Sequence, residues 1–95
     1  MTIEKALEST KKITVDDIKY VNQADVERMF GVTRQTIYGM IDKGTFTPQS
    51  KFGKFNVWPH HEVVAIHRAL LLGLTKEEQK EVISRLISFR EQLLN

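Results

Sequence analysis

This sequence predicts a mainly α-helical fold with one small β-hairpin: a winged helix-turn-helix followed by a C-terminal helix. Three observations predict it. Short amphipathic segments are each bracketed by helix-starting and helix-stopping residues. Two of them are separated only by Gly31-Val32-Thr33, the tight joint of a helix-turn-helix. Over residues 45–58 the apolar spacing then shifts from helical to extended around Gly53.

Residues 1–12 show weak helical spacing and a Lys11-Lys12 pair, and are expected to form a frayed arm. Ile13-Thr14-Val15 is β-branched and reads as a short extended piece. Asp16 to Tyr20 reads as a turn leading into the extended segment Lys19-Tyr20-Val21. Asn22 is a helix N-cap with Asp25 as its capping-box partner, and Ala24, Val26, Met29 and Phe30 supply one buried face. Gly31 ends this helix in the left-handed conformation. Thr33 caps the next helix, Arg34 to Asp42, with Ile37, Met40 and Ile41 as its buried stripe and Gly44 as its stop.

Two extended runs then flank Lys51-Phe52-Gly53-Lys54, in which Gly53 supplies the positive φ of a tight hairpin, giving a two-stranded wing. Phe30, Phe46, Phe55 and Trp58 are expected in the core, and Phe52 is expected to pack back on the domain. Pro59 favours a new helix start, with Val63, Val64, Ile66, Ala69, Leu70 and Leu71 apolar over a wide arc until Gly73. Thr75-Lys76-Glu77-Glu78 is a capping box that opens the last helix. That helix carries two stripes. Val82, Leu86, Phe89 and Leu93 form a heptad-like seam, and Ile83, Ile87 and Leu94 lie beside it.

Size and composition narrow the function. At 95 residues and 11.0 kDa the chain holds one compact domain, too short for a barrel enzyme or a two-domain cofactor enzyme. Its 41% apolar and 27% charged residues place it among ordinary globular proteins. The absence of cysteine excludes disulfides, thiolate chemistry and Cys-based zinc sites. No stretch approaches the roughly 18 apolar residues of a spanning helix. Met1 to Glu8 is charged where a signal peptide would be apolar. The expectation is a cytoplasmic protein with no membrane contact.

Catalysis finds little to work with. The carboxylates are scattered on polar helix faces, and no Gly-rich phosphate loop is present. His60-His61-Glu62 and His67 lack the zincin pattern, because Ala65 stands four residues after His61. Two imidazoles do not make a zinc site. These residues are expected on a helix start and its exposed side, with no enzyme activity, cofactor or metal.

Charge and outward residues point elsewhere. Residues 31–75 hold five Lys/Arg against two Asp/Glu, a local +3, and no acidic residue lies between Asp42 and Glu62. Once the buried stripe of the second helix is assigned, Arg34, Gln35, Thr36 and Tyr38 remain outward, near its start. Arg pairs with guanine and Gln with adenine through two hydrogen bonds, while Thr and Tyr reach phosphates or thymine methyls. The wing tip adds Lys51, Gly53 and Lys54. With the capping Thr33 these residues form the expected contact set for duplex DNA.

The stretch from Tyr20 to about Arg90, roughly three quarters of the chain, resembles the AlpA-like regulators and phage excisionases of the MerR-like winged-helix group. The resemblance rests on Phe30-Gly31-Val32-Thr33-Arg34-Gln35-Thr36-Ile37-Tyr38, then Lys43-Gly44 with Phe46 and Pro48, Lys51-Phe52-Gly53-Lys54, Val57-Trp58 and Glu62-Val63. It implies Arg34, Gln35, Thr36 and Tyr38 as a major-groove face, Lys51, Gly53 and Lys54 as a minor-groove or phosphate-contacting wing, and Trp58 as core. Pro59 stands where the family usually has a basic residue, which removes one phosphate contact.

The expected organisation is an N-terminal arm (1–18), a DNA-binding winged helix-turn-helix (19–73) and a C-terminal helix (74–95) that dimerises, as such helices do in MerR-like proteins. The expected role is a transcriptional regulator or excisionase of a phage or integrative element, with duplex DNA as partner and an integrase as a second partner in excision. The rivals are DNA recognition in the manner of a phage terminase small subunit, and a protein-binding antirepressor module. For the C-terminal helix the expected assembly is a homodimer or a cooperative array on DNA. Its alternative is a helix lying flat, with both stripes covered by the N-terminal arm.

Overall fold

Local capping chemistry sets most helix boundaries in the computed structural model, which describes residues 2–94. Met1 and Asn95, the outermost residues of the expected arm and C-terminal helix, lie outside the described residues. Helix α1 is Thr2–Ala6, and 3-10 turns follow at Glu8–Thr10 and Val15–Asp17. In α2 (Gln23–Phe30) the Asn22 side chain accepts the Asp25 amide at 2.8 Å while the Asp25 carboxylate takes the Asn22 amide. Gly31, at φ 64°, turns the chain away from α2, and the Thr33 cap opens α3 (Arg34–Lys43). Helix α4 (His60–Leu71) starts directly after Pro59, and the Thr75–Glu78 box opens α5 (Lys76–Leu93).

The fold is mainly helical, with a small antiparallel sheet and a C-terminal helix. Strands β1 (Tyr20–Asn22), β2 (Ser50–Phe52) and β3 (Phe55–Pro59) lie in the order β1-β3-β2. The expected two-stranded hairpin therefore gains a third strand from the segment after the second 3-10 turn. Val21 stands opposite Trp58 and Tyr20 opposite Pro59. Ile13-Thr14-Val15 is not extended as a unit. Thr14 and Asp17 cap each other, which turns Val15 into the 3-10 segment.

Trp58, Phe46, Ile37, Leu86, Val26, Val63 and Val82 are the largest apolar side chains buried almost completely. Phe46 sits edge-on to both Phe30 and Trp58, at 5.7 and 5.8 Å between ring centroids. The indole N–H of Trp58 donates to the Thr47 carbonyl at 2.9 Å, so this buried ring leaves no polar atom unpaired.

The packing corrects two expectations and covers the stripes of α5. Residues 2–10 are not a frayed arm: Ala6, Leu7 and Thr10 are buried, and α1 packs on α4 and α5. The arc of α4 holds at Val63, Ile66 and Ala69, which are buried, and departs at its two ends. Leu70 and Leu71 are exposed, whereas His61 and Glu62 at the opposite end are buried. Finally, the two stripes of α5 are covered within the chain. Val82, Ile83 and Leu86 are buried, Ile87 packs on the core, Phe89 and Leu93 are half-buried, and Leu94 is left exposed. Both stripes of α5 pack on α1 and α4.

Glu62 lies in the interior against Arg90 of α5, whose Nε and Nη2 donate to its two oxygens at 2.5 and 2.6 Å. The same Nη2 reaches the Pro48 carbonyl at 2.9 Å. Beside it, the His61 ring lies edge-on to Phe89, and neither ring nitrogen has a partner among the described residues. Burial holds the His61 pKa below the ordinary histidine value; Glu62 pulls it upward, and Arg90 and His60 push it further down. In the unfolded chain His61 takes its proton near pH 6.5, while the folded chain resists until lower pH. Stability is therefore full above that value and falls as the pH drops below it. Denaturant midpoints measured across this range should slope for the natural chain and flatten for His61→Leu; equal slopes would mean the imidazole charges freely in the fold.

Among the described residues, no three His, Asp or Glu side chains gather as a metal site, and no helix is long and apolar enough to cross a membrane.

Candidate nucleic-acid interface

Helical periodicity divides α3 cleanly. Ile37 is buried, Met40 and Ile41 pack against the core, and Arg34, Gln35 and Thr36 are exposed at the helix start. The Thr33 side chain accepts the Thr36 amide at 3.4 Å, and the two hydroxyls lie 3.1 Å apart. The Arg34 guanidinium stands 5.8 Å from the Tyr38 ring centroid, which biases its position while leaving its donors free outward.

Tyr38 belongs to a different class from its neighbours. It is half-buried, and its hydroxyl donates to Gln23 Oε1 of α2 at 3.2 Å and accepts from Asn56 Nδ2 of β3 at 2.7 Å. The same Asn56 amide reaches Gln23 Oε1 at 3.4 Å. One phenol therefore pins α3 to both α2 and the sheet. It thereby fixes where the start of α3, with Arg34 and Gln35, sits relative to the sheet. Gln23 and Asn56 escape sequence reasoning, since they lie 15 and 18 positions from Tyr38 and show no local spacing signal.

The β2–β3 hairpin closes with Phe52 opposite Phe55 and a two-residue turn, Gly53-Lys54. Gly53 has φ 60° and open space around it, so the demand for glycine is conformational and not steric. Lys51 pairs across the strands with Asn56. Cross-strand partners project to one face, and Asn56 reaches Tyr38, so Lys51 rises from the side of the sheet nearest α3. Lys54 stands 5.7 Å from the Phe55 ring centroid.

The aromatics of this hairpin depart from expectation. Phe52 and Phe55 are 74% and 58% exposed instead of packed. The reason is strand parity. Trp58 points inward, so Asn56 shares its face, and Phe55 and Val57 point the other way together with the cross-strand Phe52.

Within residues 31–75 the exposed charge is also more one-signed than the sequence count implies. Of the two acidic residues in 31–75, Glu62 is buried against Arg90. Asp42 is exposed at the far end of α3. Arg34, Lys51 and Lys54, all exposed, thus face solvent with no exposed carboxylate between residues 43 and 74.

A protein of enterobacteria phage P4 carrying the name uncharacterized protein ORF88 is 42% identical over 48 residues. The match covers 50% of this chain and 54% of that protein, so the chain spans about half the length of its relative. No family model and no solved structure matches the chain.

Proposed function

We infer that this protein binds duplex DNA as a winged helix-turn-helix, with α3 as the helix in the major groove and the β2–β3 hairpin as the wing. The observation that carries this reading is the Asn56–Tyr38 hydrogen bond. It sets an exposed Arg-Gln-Thr helix start and an exposed Lys51 on one side of the molecule. The likeness to AlpA-like regulators and excisionases belongs to the same proposal. So does a role as transcriptional regulator or excisionase of a phage or integrative element, a setting the phage P4 relative favours. Function here is placement without catalysis: phosphate contacts fix register and base contacts fix sequence. Cooperative binding at adjacent sites and contact with an integrase extend the proposal; comparing one-site with two-site DNA fragments tests the first.

The primary experiment is selection of bound duplexes from a random-sequence pool, followed by titration of the recovered site. Arg34→Ala should cost about 1–3 kcal/mol of specific affinity and relax preference at one base pair. An equal loss on random duplex would reduce Arg34 to a phosphate ligand, and full binding by the variant would sink the assignment of α3. The Lys51→Ala, Lys54→Ala double variant should bind all sequences more weakly. It should also shallow the log–log salt dependence by about 0.9 for each phosphate that the variant no longer neutralises. An unchanged slope would leave the hairpin as a cover for the core.

A further inference from the structure

The two exposed phenylalanines of the hairpin have no work to do in the folded chain. They sit directly across from one another at the tip, 74% and 58% exposed, one on each side of Gly53-Lys54. Apolar rings of this size left in water at a loop tip mark a contact surface. The setting narrows the contact. Each ring follows a lysine in the chain: Lys51, on the opposite face of the hairpin from the rings, and Lys54, whose ammonium lies 5.7 Å from the Phe55 centroid. An apolar tip that carries two lysines is complementary to an apolar surface walled by negative charge.

The DNA minor groove has that construction: phosphate walls about 6 Å apart enclose sugar faces and stacked base edges. The two backbones of a hairpin alone lie about 4.8 Å apart, so a tip that also carries two rings exceeds the room available and can enter only if the groove opens. We propose that Phe52 and Phe55 form an apolar wedge that enters the minor groove beside the α3 site and partly unstacks one base step, with Lys51 and Lys54 on the flanking phosphates. Side chains of this type do open base steps in other minor-groove proteins. Pyrimidine–purine steps unstack most readily, so the wedge adds a preference for such a step at a position where no hydrogen bond reads the bases. The proposal rests on the duplex-DNA reading above and assigns that reading a second, shape-selective subsite.

The test uses the full chain and a duplex recovered by selection, carrying 2-aminopurine at successive positions through and beyond the protected site. The natural protein should raise 2-aminopurine fluorescence at one step under the hairpin. Phe52→Ala with Phe55→Ala should lose that rise while keeping the salt slope, because no phosphate-binding cation is removed. Phe52→Leu with Phe55→Leu should restore much of it, since leucine also wedges. Both rings are exposed, so melting curves of the variants should match the natural chain; should the double alanine variant fail to fold, each single replacement is read in its place. Binding with no fluorescence rise at any position, or an undiminished rise with the alanine pair, overturns the wedge and leaves DNA binding standing. Failure of the natural chain to retain any duplex overturns both readings. A change in sedimentation of the alanine variant without DNA identifies the rings as a protein interface, and also overturns the wedge.

Discussion

Arg90→Leu should lower the unfolding free energy by about 3–5 kcal/mol, the cost of leaving a buried charge without its partner. The side chain of Glu62 is 0% exposed, and both its oxygens are held by Arg90. A domain of this size has only about 5–14 kcal/mol in total, so the loss is a large fraction of the whole. The companion experiment is more informative than the single variant. Glu62→Leu combined with Arg90→Leu removes both charges and should recover most of the loss, since an apolar pair of similar volume needs no solvation. Urea midpoints for the natural chain, both single variants and the double complete the cycle. A double variant no more stable than Arg90→Leu alone would show that the loss comes from the hydrogen bond to the Pro48 carbonyl and from packing.

Trp58→Ala is expected to be comparably severe, about 3–5 kcal/mol, because a fully buried ring of β3 that packs edge-on to Phe46 is deleted. Trp58→Phe separates packing from hydrogen bonding. It keeps an aromatic ring but leaves the Thr47 carbonyl without its donor, at about 1–3 kcal/mol. As Trp58 is the only tryptophan, these variants must be followed by far-ultraviolet circular dichroism. A loss below about 1.5 kcal/mol for alanine would mean the neighbouring side chains close over the gap, contrary to a rigid sheet–helix junction.

What was legible in the sequence was what is local. The boxes at Asn22–Asp25 and Thr75–Glu78, the Thr33 cap and the stops at Gly31 and Gly44 each involve residues within a few positions of each other. The exposed Arg34, Gln35 and Thr36 followed from helical period alone. Pairings across the fold were not legible. Glu62 and Arg90 are 28 positions apart, and each alone resembles an ordinary surface charge. The burial of Ala6 and Leu7 is of the same kind: a five-residue helix is too short to form unaided, and packing on α4 and α5 decides it. Phe55 is a different case. Placing both Phe55 and Trp58 in the core contradicts the two-residue period of a strand, and the parity was available in the sequence.

The phenol–amide link between α3 and β3 makes the molecule a ruler. With Asn56 holding the hairpin against Tyr38, the distance and angle between the two elements proposed to enter the grooves are set in the protein before any DNA arrives. A target with one base pair inserted between the two subsites would present the second about 3.4 Å too far along the axis and rotated by about 34–36° around it. Neither error can be absorbed by a two-residue turn and a three-residue strand. Spacing would therefore be read as stringently as base identity, and a conservative change such as Asn56→Leu would loosen the rule without touching a single base.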